Sequence, residues 1–427
     1  MFSAPFHVRA LASPEEYTAF FSLADQVFSA QSTQENARRW QQRTLADPCL
    51  HAEHVRAAFR EDQLIGGYLF SERLLCMGVA RIPMACVSVV FTHPAFRKQG
   101  VATALMQDAI AFATSHQRSL LLLDGIPKFY YRYGYTDVFD LSSYQVDRNA
   151  ILAQAAGNYA VRTVTPEDAT PLLALYERHY GSYTGSFVRS LDQQRYMLEY
   201  QATRRHMVAS LGPEGVMKGY LLLSAASHPH TALECVADDW EALLSLLQYH
   251  AHLHDGLQDI PQSLHYRLPP TSPMVRWMRE HLEVPDTSEW ETGHEEWSVL
   301  RQTYHHRYAG CMARLVHFPS LLEAVLPELQ RRWRQTLACW EGAITLIVGT
   351  EAVTLHISGR RLWLSASEEA SVRLQMSPQS LTQLVFGYVP ISWGLKESNL
   401  ALSHEVLAAL TNLFPVDHTW IPGSDWP

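Results

Sequence analysis

The chain has 427 residues and a formal net charge of −9, with 47% hydrophobic and 18% charged residues. This composition is typical of a soluble globular protein, and no apolar run approaches the length of a membrane span. The negative charge argues against a nucleic-acid binder, which normally presents a basic face to phosphates, and it permits a cationic substrate. The length suggests roughly two to four domains.

Cysteine and histidine usage predicts neither disulfides nor a metal. No C-x-x-C pair and no secretion signal occur, so we expect a cytoplasmic protein. His250 and His254 lie four residues apart and could share an ion on a helix. We prefer the interpretation without a metal, because the H-E-x-x-H pattern and a third ligand are both missing.

The run from Met84 to Phe112 carries the strongest signal in the chain. Met84–Val90 is apolar and β-branched, which indicates a strand, and apolar residues then recur at helical spacing at Val101, Leu105, Ala109 and Phe112. Gly100 therefore lies where a strand passes into a helix. The first turn of such a helix has N–H groups without intrahelical partners, and Arg97 and Lys98 add positive charge. This pattern predicts a phosphate-binding turn; the simpler alternative is a basic surface turn.

The Arg97-x-x-Gly100-x-Ala102 pattern resembles motif A of the GNAT acetyltransferase superfamily, and the signatures of P-loop and dinucleotide-binding proteins are absent. The resemblance implies that acetyl coenzyme A is the co-substrate. It also implies that backbone groups at Val90 and Thr92 bind the pantetheine arm. The residues implied for the pyrophosphate are Arg97, Lys98, Gln99, Gly100, Val101 and Ala102.

A second motif follows motif A at the distance expected for GNAT enzymes. Leu120–Asp124 reads as a buried strand, which predicts a βαβ unit in which it lies parallel to the strand before the turn. Lys128–Tyr135 then contains four tyrosines and resembles the F-Y-x-x-x-G-F element of GNAT enzymes. The simpler alternative is a structural role, in which these rings pack against the sheet.

The rest of the chain predicts two more units. Near Tyr159 a second series of predicted strands and helices begins, which lacks a phosphate-binding turn. The series of strands and helices predicted after Met312 resembles the sterol carrier protein fold. We therefore expect an α/β protein with mixed sheets, in which tandem GNAT-like domains precede a sterol-carrier-like α+β domain. The expected ranges are 1–145, 146–298 (degenerate) and 299–427.

This order of domains resembles the Eis-type N-acetyltransferases. The resemblance implies acetyl transfer to a primary amine of a small cationic molecule, aminoglycoside- or polyamine-like, or to a lysine side chain. It implies Tyr130 as general acid and the C-terminal carboxylate, here Pro427, as base, although Asp425 is an alternative because the chain ends in Trp-Pro. It also implies a homo-oligomer, a hexamer if the family pattern holds, with no nucleic-acid or membrane partner. A non-catalytic protein that binds acyl-CoA or lipid remains the alternative.

Overall fold

The structure is a computed structural model that describes residues 6–201, 206–224, 230–282, 299–305, 310–366, 370–395 and 402–425. Within these ranges the chain forms two seven-stranded sheets and one four-stranded sheet, and helices accompany each sheet. The mixed α/β class expected from the sequence is confirmed. No helix in these ranges combines the length and hydropathy that a membrane span requires. Two compact units are formed, of residues 1–139 with 308–419 and of residues 140–307 with 420–426.

The N-terminal part of the first unit has the predicted order of helices, hairpin and βαβ unit. Its strands are β1 (His7–Ala10), β2 (Val55–Arg60), β3 (Gln63–Met77), β4 (Ala80–Thr92), β5 (Leu120–Asp124) and β6 (Thr136–Asp137). Its helices are α1 (Pro14–Phe28), α2 (Gln34–Leu45) and α3 (Val101–Ser115). Ser13 and Thr33 cap α1 and α2 by accepting backbone N–H bonds, as their positions before the helices predict.

The predicted βαβ unit is confirmed. Strand β4 pairs in parallel with β5 through Met84–Cys86 and Leu120–Leu122, and α3 makes the crossover. The leucines of β5 are fully buried because both faces of the strand are covered. Leu121 and Leu123 pack with the apolar face of α3 in one core. Helix α1 packs on β2 to β4 through a separate core on the other face of the sheet.

The second unit is built on the second seven-stranded sheet. Its strands are β7 (Leu141–Asp147), β8 (Ala160–Thr163), β9 (Met207–Leu211), β10 (Met217–Leu223), β11 (Thr231–Ala237), β12 (Ser263–Tyr266) and β13 (Leu300–His305). Its helices are α4 (Arg148–Leu152), α5 (Ala169–Tyr180), α6 (Leu191–Tyr196), α7 (Trp240–His252) and α8 (Pro273–His281). Strands β11 and β12 are parallel and α7 lies between them in the chain, which makes a second βαβ unit.

The remaining part of the first unit begins with one strand and one long helix. Its elements are β14 (Cys311–Leu315), α9 (Phe318–Gln335), β15 (Gly342–Val348), β16 (Glu351–Ser358), β17 (Arg361–Ser365), β18 (Val372–Met376), α10 (Pro378–Val385), α11 (Ile391–Gly394) and α12 (His404–Leu413). The strand order of this sheet is β17-β16-β15-β18, in which β18 returns beside β15 in parallel.

The strands of a sheet do not all come from one of the continuous residue ranges that the sequence predicted for the domains. Strand β14 lies in the first sheet, antiparallel between β5 and β6, so residues 311–315 complete a sheet that the first 139 residues begin. Strand β7 spans the expected boundary at residue 145 and pairs with β12 and β13 in the second sheet. A strand pairs with neighbours that satisfy its backbone N–H and C=O groups, and distance along the chain does not limit that choice.

Candidate active site

A β-bulge in β4 opens the first sheet. Gly67 pairs with Phe91 and Leu69 pairs with Ser88, so Tyr68 faces two residues of β4, Val89 and Val90. Val89 has a φ of +53°, a left-handed conformation that β-branched residues rarely adopt. Such a bulge bends its strand and increases the local twist. The bend accounts for the early end of the β4–β5 pairing, which stops at Cys86 while β4 continues to Thr92.

The last residues of β4 therefore have backbone N–H and C=O groups that no described neighbouring strand pairs with on the β5 side. Val90 and Thr92 are half-buried, and in the part of the chain that the structure describes no strand pairs with β4 beyond Cys86 on the β5 side. Unpaired N–H and C=O groups along a strand edge can bind an extended chain that carries amide groups. The pantetheine arm of coenzyme A is such a chain, so the edge fits the assignment of Val90 and Thr92.

The turn of residues 97–102 brings a helix N-terminus to the surface. Lys98 and Gly100 have φ values of +60° and +89°, and the four residues 97–100 are exposed. The first intrahelical bond runs from the N–H of Ala104 to the carbonyl of Gly100 at 3.0 Å, and no side chain caps α3. The N–H groups of residues 101–103 therefore lack intrahelical acceptors.

The space beside this turn is open enough for a diphosphate. A Cβ built on Gly100 would meet only the ring of Phe6, at 3.9 Å. Arg97 and Lys98 add two positive charges to the uncapped helix N-terminus, which itself favours anions. The residues present thus fit the pyrophosphate of coenzyme A.

The tyrosine-rich segment is a short 3-10 helix, Tyr130–Tyr133, tied to its surroundings by hydrogen bonds. The hydroxyl of Tyr133 lies 3.0 Å from Thr103 Oγ1 in the first turn of α3. The hydroxyl of Tyr131 donates to Asp137 Oδ2 at 2.7 Å. Arg314 of β14 donates from Nε to the carbonyl of Tyr133 at 2.7 Å. A structural role accounts for Tyr131 and Tyr133, because the contacts of both hydroxyls hold the segment in place.

Tyr130 is different because its hydroxyl has no hydrogen-bond partner among the described residues. Its side chain is 7% exposed, and its ring lies over Gly125, where a Cβ would be 3.3 Å from Tyr130 Cδ2 and 2.8 Å from Met312 Sδ. Burial, with smaller contributions from Tyr133 and the charge of Asp124, raises the pKa of Tyr130 to about 12. The phenol therefore keeps its proton at neutral pH and can donate it.

An exposed carboxylate ends the neighbouring strand. Asp124 is the last residue of β5, and the side chains of a strand alternate between its faces. Since Leu121 and Leu123 pack with α3, Asp124 lies on the opposite face, the one that carries α1. Within the described ranges, Asp124 makes no ion pair. A carboxylate at the end of β5 that makes no ion pair can attract a cation.

Of the two C-terminal residues expected to act as the base, the structure describes only Asp425. Asp425 belongs to the second unit, where its carboxylate accepts from Arg189 Nη2 at 2.8 Å and from Tyr176 Oη at 3.2 Å. These bonds hold Asp425 in an ion pair, which argues against its side chain as the base. Pro427 lies outside the described residues.

One of the two histidines considered for metal binding, His250, has another partner. His250 Nδ1 lies 3.0 Å from the hydroxyl of Tyr266, and both side chains are buried. Among the residues that the structure describes, no three His, Cys, Asp or Glu side chains are grouped as metal ligands.

Three residues of this arrangement, Asp124, Thr103 and Arg314, were not singled out from the sequence. Asp124 had a usable signal, since a polar residue directly after a buried parallel strand lies at the edge where ligands commonly bind. Thr103 and Arg314 had none, because a helical threonine and a strand arginine look like ordinary surface residues. Only the pairing of β14 with β5 and β6 brings Arg314 to Tyr133.

Comparisons with known proteins bear on the domain that carries this site. Residues 7–138 match the family model of the acetyltransferase (GNAT) domain. A probable N-acyltransferase from Enterococcus faecalis V583 superimposes with a TM-score of 0.70 at 17% identity, over 96% of this chain and 97% of that chain. A GCN5-related N-acetyltransferase from Anabaena variabilis gives 0.70 at 17% identity, over 97% and 99%. Eis1 from Mycobacterium abscessus gives 0.63 at 17% identity, over 98% and 99%. No curated protein matches the sequence significantly.

The structural likeness shows a fold shared over nearly the whole chain, and the family match identifies its N-terminal domain. GNAT enzymes take an acyl group from acyl-CoA and transfer it to amines of small molecules or proteins. Residues 7–138 therefore form a GNAT acetyltransferase domain, and the protein is an acyltransferase.

Proposed function

We propose that the protein is an N-acetyltransferase that moves the acetyl group of acetyl coenzyme A to a primary amine. The acceptor is a small cationic molecule, aminoglycoside- or polyamine-like, or a lysine side chain. One observation carries this proposal: the buried Tyr130 shares a 3-10 helix with Tyr133, whose hydroxyl lies 3.0 Å from Thr103 Oγ1 in the first turn of the uncapped helix α3. A protein that only bound the cofactor would not need a buried, unpartnered phenol beside the turn.

The turn of residues 97–102 would hold the pyrophosphate. In this proposal, backbone N–H groups of Gly100, Val101 and Ala102 bind phosphate oxygens, while Arg97, Lys98 and Gln99 flank them. The β4 edge at Val90 and Thr92 binds the pantetheine amides. When bound, acetyl coenzyme A would supply an acyl group on a sulfur atom.

Tyr130 acts by donating a hydrogen bond, and finally a proton, to the departing sulfur. A thiol has an ordinary pKa of about 8.5, below that of Tyr130, so the phenol stays protonated until negative charge develops beside it. The proton given up by Tyr130 must be replaced, and the attacking amine is its source. The C–N bond forms and the C–S bond breaks in the same exchange.

An amine must lose a proton before it can attack, because a free alkylammonium has a pKa near ~10.4. We propose the C-terminal carboxylate of Pro427 as the group that takes this proton. This assignment is supported by the Eis-type resemblance. The engagement of Asp425 with Arg189 makes the alternative less attractive.

Asp124 supports a cationic acceptor. Its carboxylate is exposed, and its charge makes a small contribution to the raised pKa of the Tyr130 phenol, behind burial and Tyr133. An arriving ammonium group would be attracted to this charge before it is deprotonated. A neutral acceptor would gain nothing from Asp124, so an exposed carboxylate at the end of β5 favours amines that are charged in solution.

Three further features are proposed on the resemblance to Eis-type enzymes. The α+β part that follows β14 is proposed to be sterol-carrier-like and to serve assembly. The protein is proposed to be a homo-oligomer, a hexamer if it follows that family, and to act in the cytoplasm.

The test is thiol release from acetyl coenzyme A across a panel of aminoglycosides, polyamines and lysine peptides, with the acetylated amine identified by mass spectrometry. Amine-dependent thiol release is the expected result. Tight acetyl coenzyme A binding with no turnover on any amine would contradict the proposal and support a non-catalytic acyl-CoA-binding protein.

A further inference from the structure

Helix α3 contacts β3 at two points on one face. The first point is Gly66, where a Cβ would lie only 3.1 Å from Val101 Cγ1, so the first residue of the helix lies close over the strand. Gly66 pairs with Thr92, the last residue of β4. The second point is Asp108, about two turns further along the helix and therefore on the same face as Val101.

Asp108 is held by side chains of two strands. Arg56 of β2 donates from Nε to Asp108 Oδ2 at 2.5 Å and from Nη2 to Asp108 Oδ1 at 2.9 Å. The hydroxyl of Tyr68 in β3 donates to Asp108 Oδ2 at 2.7 Å. We call Arg56, Tyr68 and Asp108 the helix clamp, because together they hold the middle of α3 on the sheet.

Tyr68 is the residue of β3 that faces the bulge of β4. Its side chain is fully buried and packs in the core that α3 shares with β4 and β5. Burial, together with the charge of Asp108, raises the pKa of Tyr68 above its ordinary value, so the hydroxyl keeps its proton and donates it. The helix clamp thus joins α3 to the sheet at the place where β4 bends.

Stability alone does not explain the helix clamp. The side chains of Arg56 and Asp108 are only 14% and 19% exposed, and the desolvation of buried ions offsets much of their attraction. Apolar residues of matching shape would hold the helix on the sheet at least as well. A bidentate arginine–carboxylate pair with a third donor forms in one geometry only, whereas apolar contacts have no direction. The helix clamp therefore fixes where α3 lies along β3.

The position of α3 matters because the two proposed parts of the cofactor site lie on the two elements that the clamp joins. The N-terminus of α3 would bind the diphosphate, and the β4 edge after the bulge would bind the pantetheine amides. Coenzyme A connects these two groups by a chain of fixed length. A ligand gains from binding at two sites together only when their spacing matches its own.

We propose that Tyr68 and Asp108 are positioning residues that set the spacing between the N-terminus of α3 and the β4 edge, and thereby the affinity for acetyl coenzyme A. Arg56 orients the carboxylate of Asp108. This inference rests on the proposed function, in which acetyl coenzyme A occupies both parts of the site. Neither residue touches the cofactor in this proposal; both act through the helix and the strand.

The test compares the whole cofactor with its two halves in the full protein. ADP carries the diphosphate without the pantetheine arm, and S-acetylpantetheine carries the amides without the diphosphate. Tyr68→Phe removes one hydroxyl and leaves both the ring and the ion pair of Arg56 with Asp108 in place. Acetyl coenzyme A should bind about tenfold more weakly to this variant in calorimetry, while the affinity for each half changes less than about twofold.

Variants of Asp108 break the same link from the helix side. Asp108→Ala should show the same pattern, and the double variant with Tyr68→Phe should lose less affinity than the product of the two single losses, because both remove one hydrogen bond. Asp108→Asn keeps an acceptor for the hydroxyl of Tyr68 and should recover part of the affinity. Tyr68→Phe decides the test if Asp108→Ala does not fold, since that change leaves Arg56 without its partner.

Two controls separate positioning from folding. Tyr17→Phe removes a hydroxyl that donates to the Ala52 carbonyl in the same domain. Val55→Ala shortens a fully buried side chain beside Arg56 in β2 that packs in the other core, and gives a destabilised reference by thermal unfolding. An equal loss of acetyl coenzyme A affinity in Val55→Ala at equal destabilisation would overturn the inference. So would a Tyr68→Phe protein that loses as much affinity for one half as for the whole cofactor.

The proposed function and this inference fail differently. If the unaltered protein does not bind acetyl coenzyme A, both are wrong. Normal acetyl coenzyme A affinity in Tyr68→Phe would overturn the positioning role alone. The expected binding pattern in a protein that acetylates no amine would contradict the proposed function and still support the inference.

Discussion

The hydroxyl of Tyr133 lies 3.0 Å from the hydroxyl of Thr103, and this contact joins the two halves of the candidate active site. Thr103 belongs to the first turn of α3, beside the proposed pyrophosphate site, and Tyr133 ends the 3-10 helix that begins with Tyr130. The distance between cofactor and phenol is therefore set by a side-chain contact as well as by the backbone. Loss of the contact should affect both cofactor binding and turnover.

Thr103→Val should lower kcat/KM for acetyl coenzyme A about fivefold, since one such hydrogen bond contributes about 1 kcal/mol. Steady-state kinetics at saturating amine would measure the change. Thr114→Val is the matched control, because the Thr114 hydroxyl bonds to the Ile110 carbonyl within the same helix. Equal kcat/KM in Thr103→Val and the control would show that the contact is dispensable.

Gly100→Glu should weaken acetyl coenzyme A binding more than tenfold in calorimetry, because it puts a carboxylate beside the proposed pyrophosphate site. It also costs about 1 kcal/mol or more of backbone strain at a φ of +89°. Gly256→Glu provides the control for strain, since Gly256 has a φ of +80°, open space around it and a place in the second unit. Similar affinities in the two variants would rule out the turn as the phosphate site. One binding site per chain is expected.

Tyr130→Phe should lower kcat about 100-fold or more while the affinity for acetyl coenzyme A stays near that of the unaltered protein. Only the hydroxyl is removed, and no other described group depends on it. Tyr131→Phe removes a hydroxyl that bonds to Asp137, and should retain most of the turnover. If both variants turned over at equal rates, Tyr130 would have no special role.

The pH profile tests the same residue. With a pKa raised to about 12, Tyr130 is active in its protonated form and loses its proton only as the pH rises through that value. We therefore expect no fall in kcat between pH 8 and about pH 11 that can be assigned to this phenol. A fall near pH 9 that disappears in Tyr130→Phe would contradict the raised pKa.

Asp124→Asn should raise KM for a cationic amine about fivefold with little change in kcat, because it removes about 1 kcal/mol of ion pairing at a partly exposed site. The KM for an arylamine, which is neutral at pH 7, should not change. Asp192→Asn offers an exposed carboxylate in the second unit as the control. A parallel rise in KM for charged and neutral amines would indicate a structural role for Asp124.

Glu234 makes stability depend on pH. Burial of this β11 side chain alone would raise its pKa, but the charge of Arg189 and hydrogen bonds from Ser424 and Tyr220 hold the pKa below its ordinary value in the folded protein. Ionisation of Glu234 therefore stabilises the fold above about pH 4.3, and this stabilisation is lost as the pH falls through the folded value. Thermal unfolding should therefore show a fall in Tm below about pH 4.5 that is smaller in Glu234→Gln. An identical pH dependence in both proteins would mean that Glu234 is not ionised in the folded state.

Local patterns were sufficient for much of the first domain. The runs of apolar residues and the Gly100 junction predicted β4, α3 and β5, with ends displaced by a few residues. They sufficed because a cap, a glycine turn and an amphipathic stripe act over a few neighbouring residues. The likeness to motif A then indicated the acyl-CoA site.

Tertiary structure decided what depends on distant pairing. Strand β14 could have joined any open edge, and only the folded chain shows it between β5 and β6, where it brings Arg314 to Tyr133. A buried arginine such as Arg189 looks like a surface arginine in sequence, because its partners Glu234 and Asp425 lie far along the chain. The sequence by itself determined the local elements and the residue types of the site. Contacts between distant residues, each chosen by burial and by the need to satisfy polar groups, decided which of those residues meet.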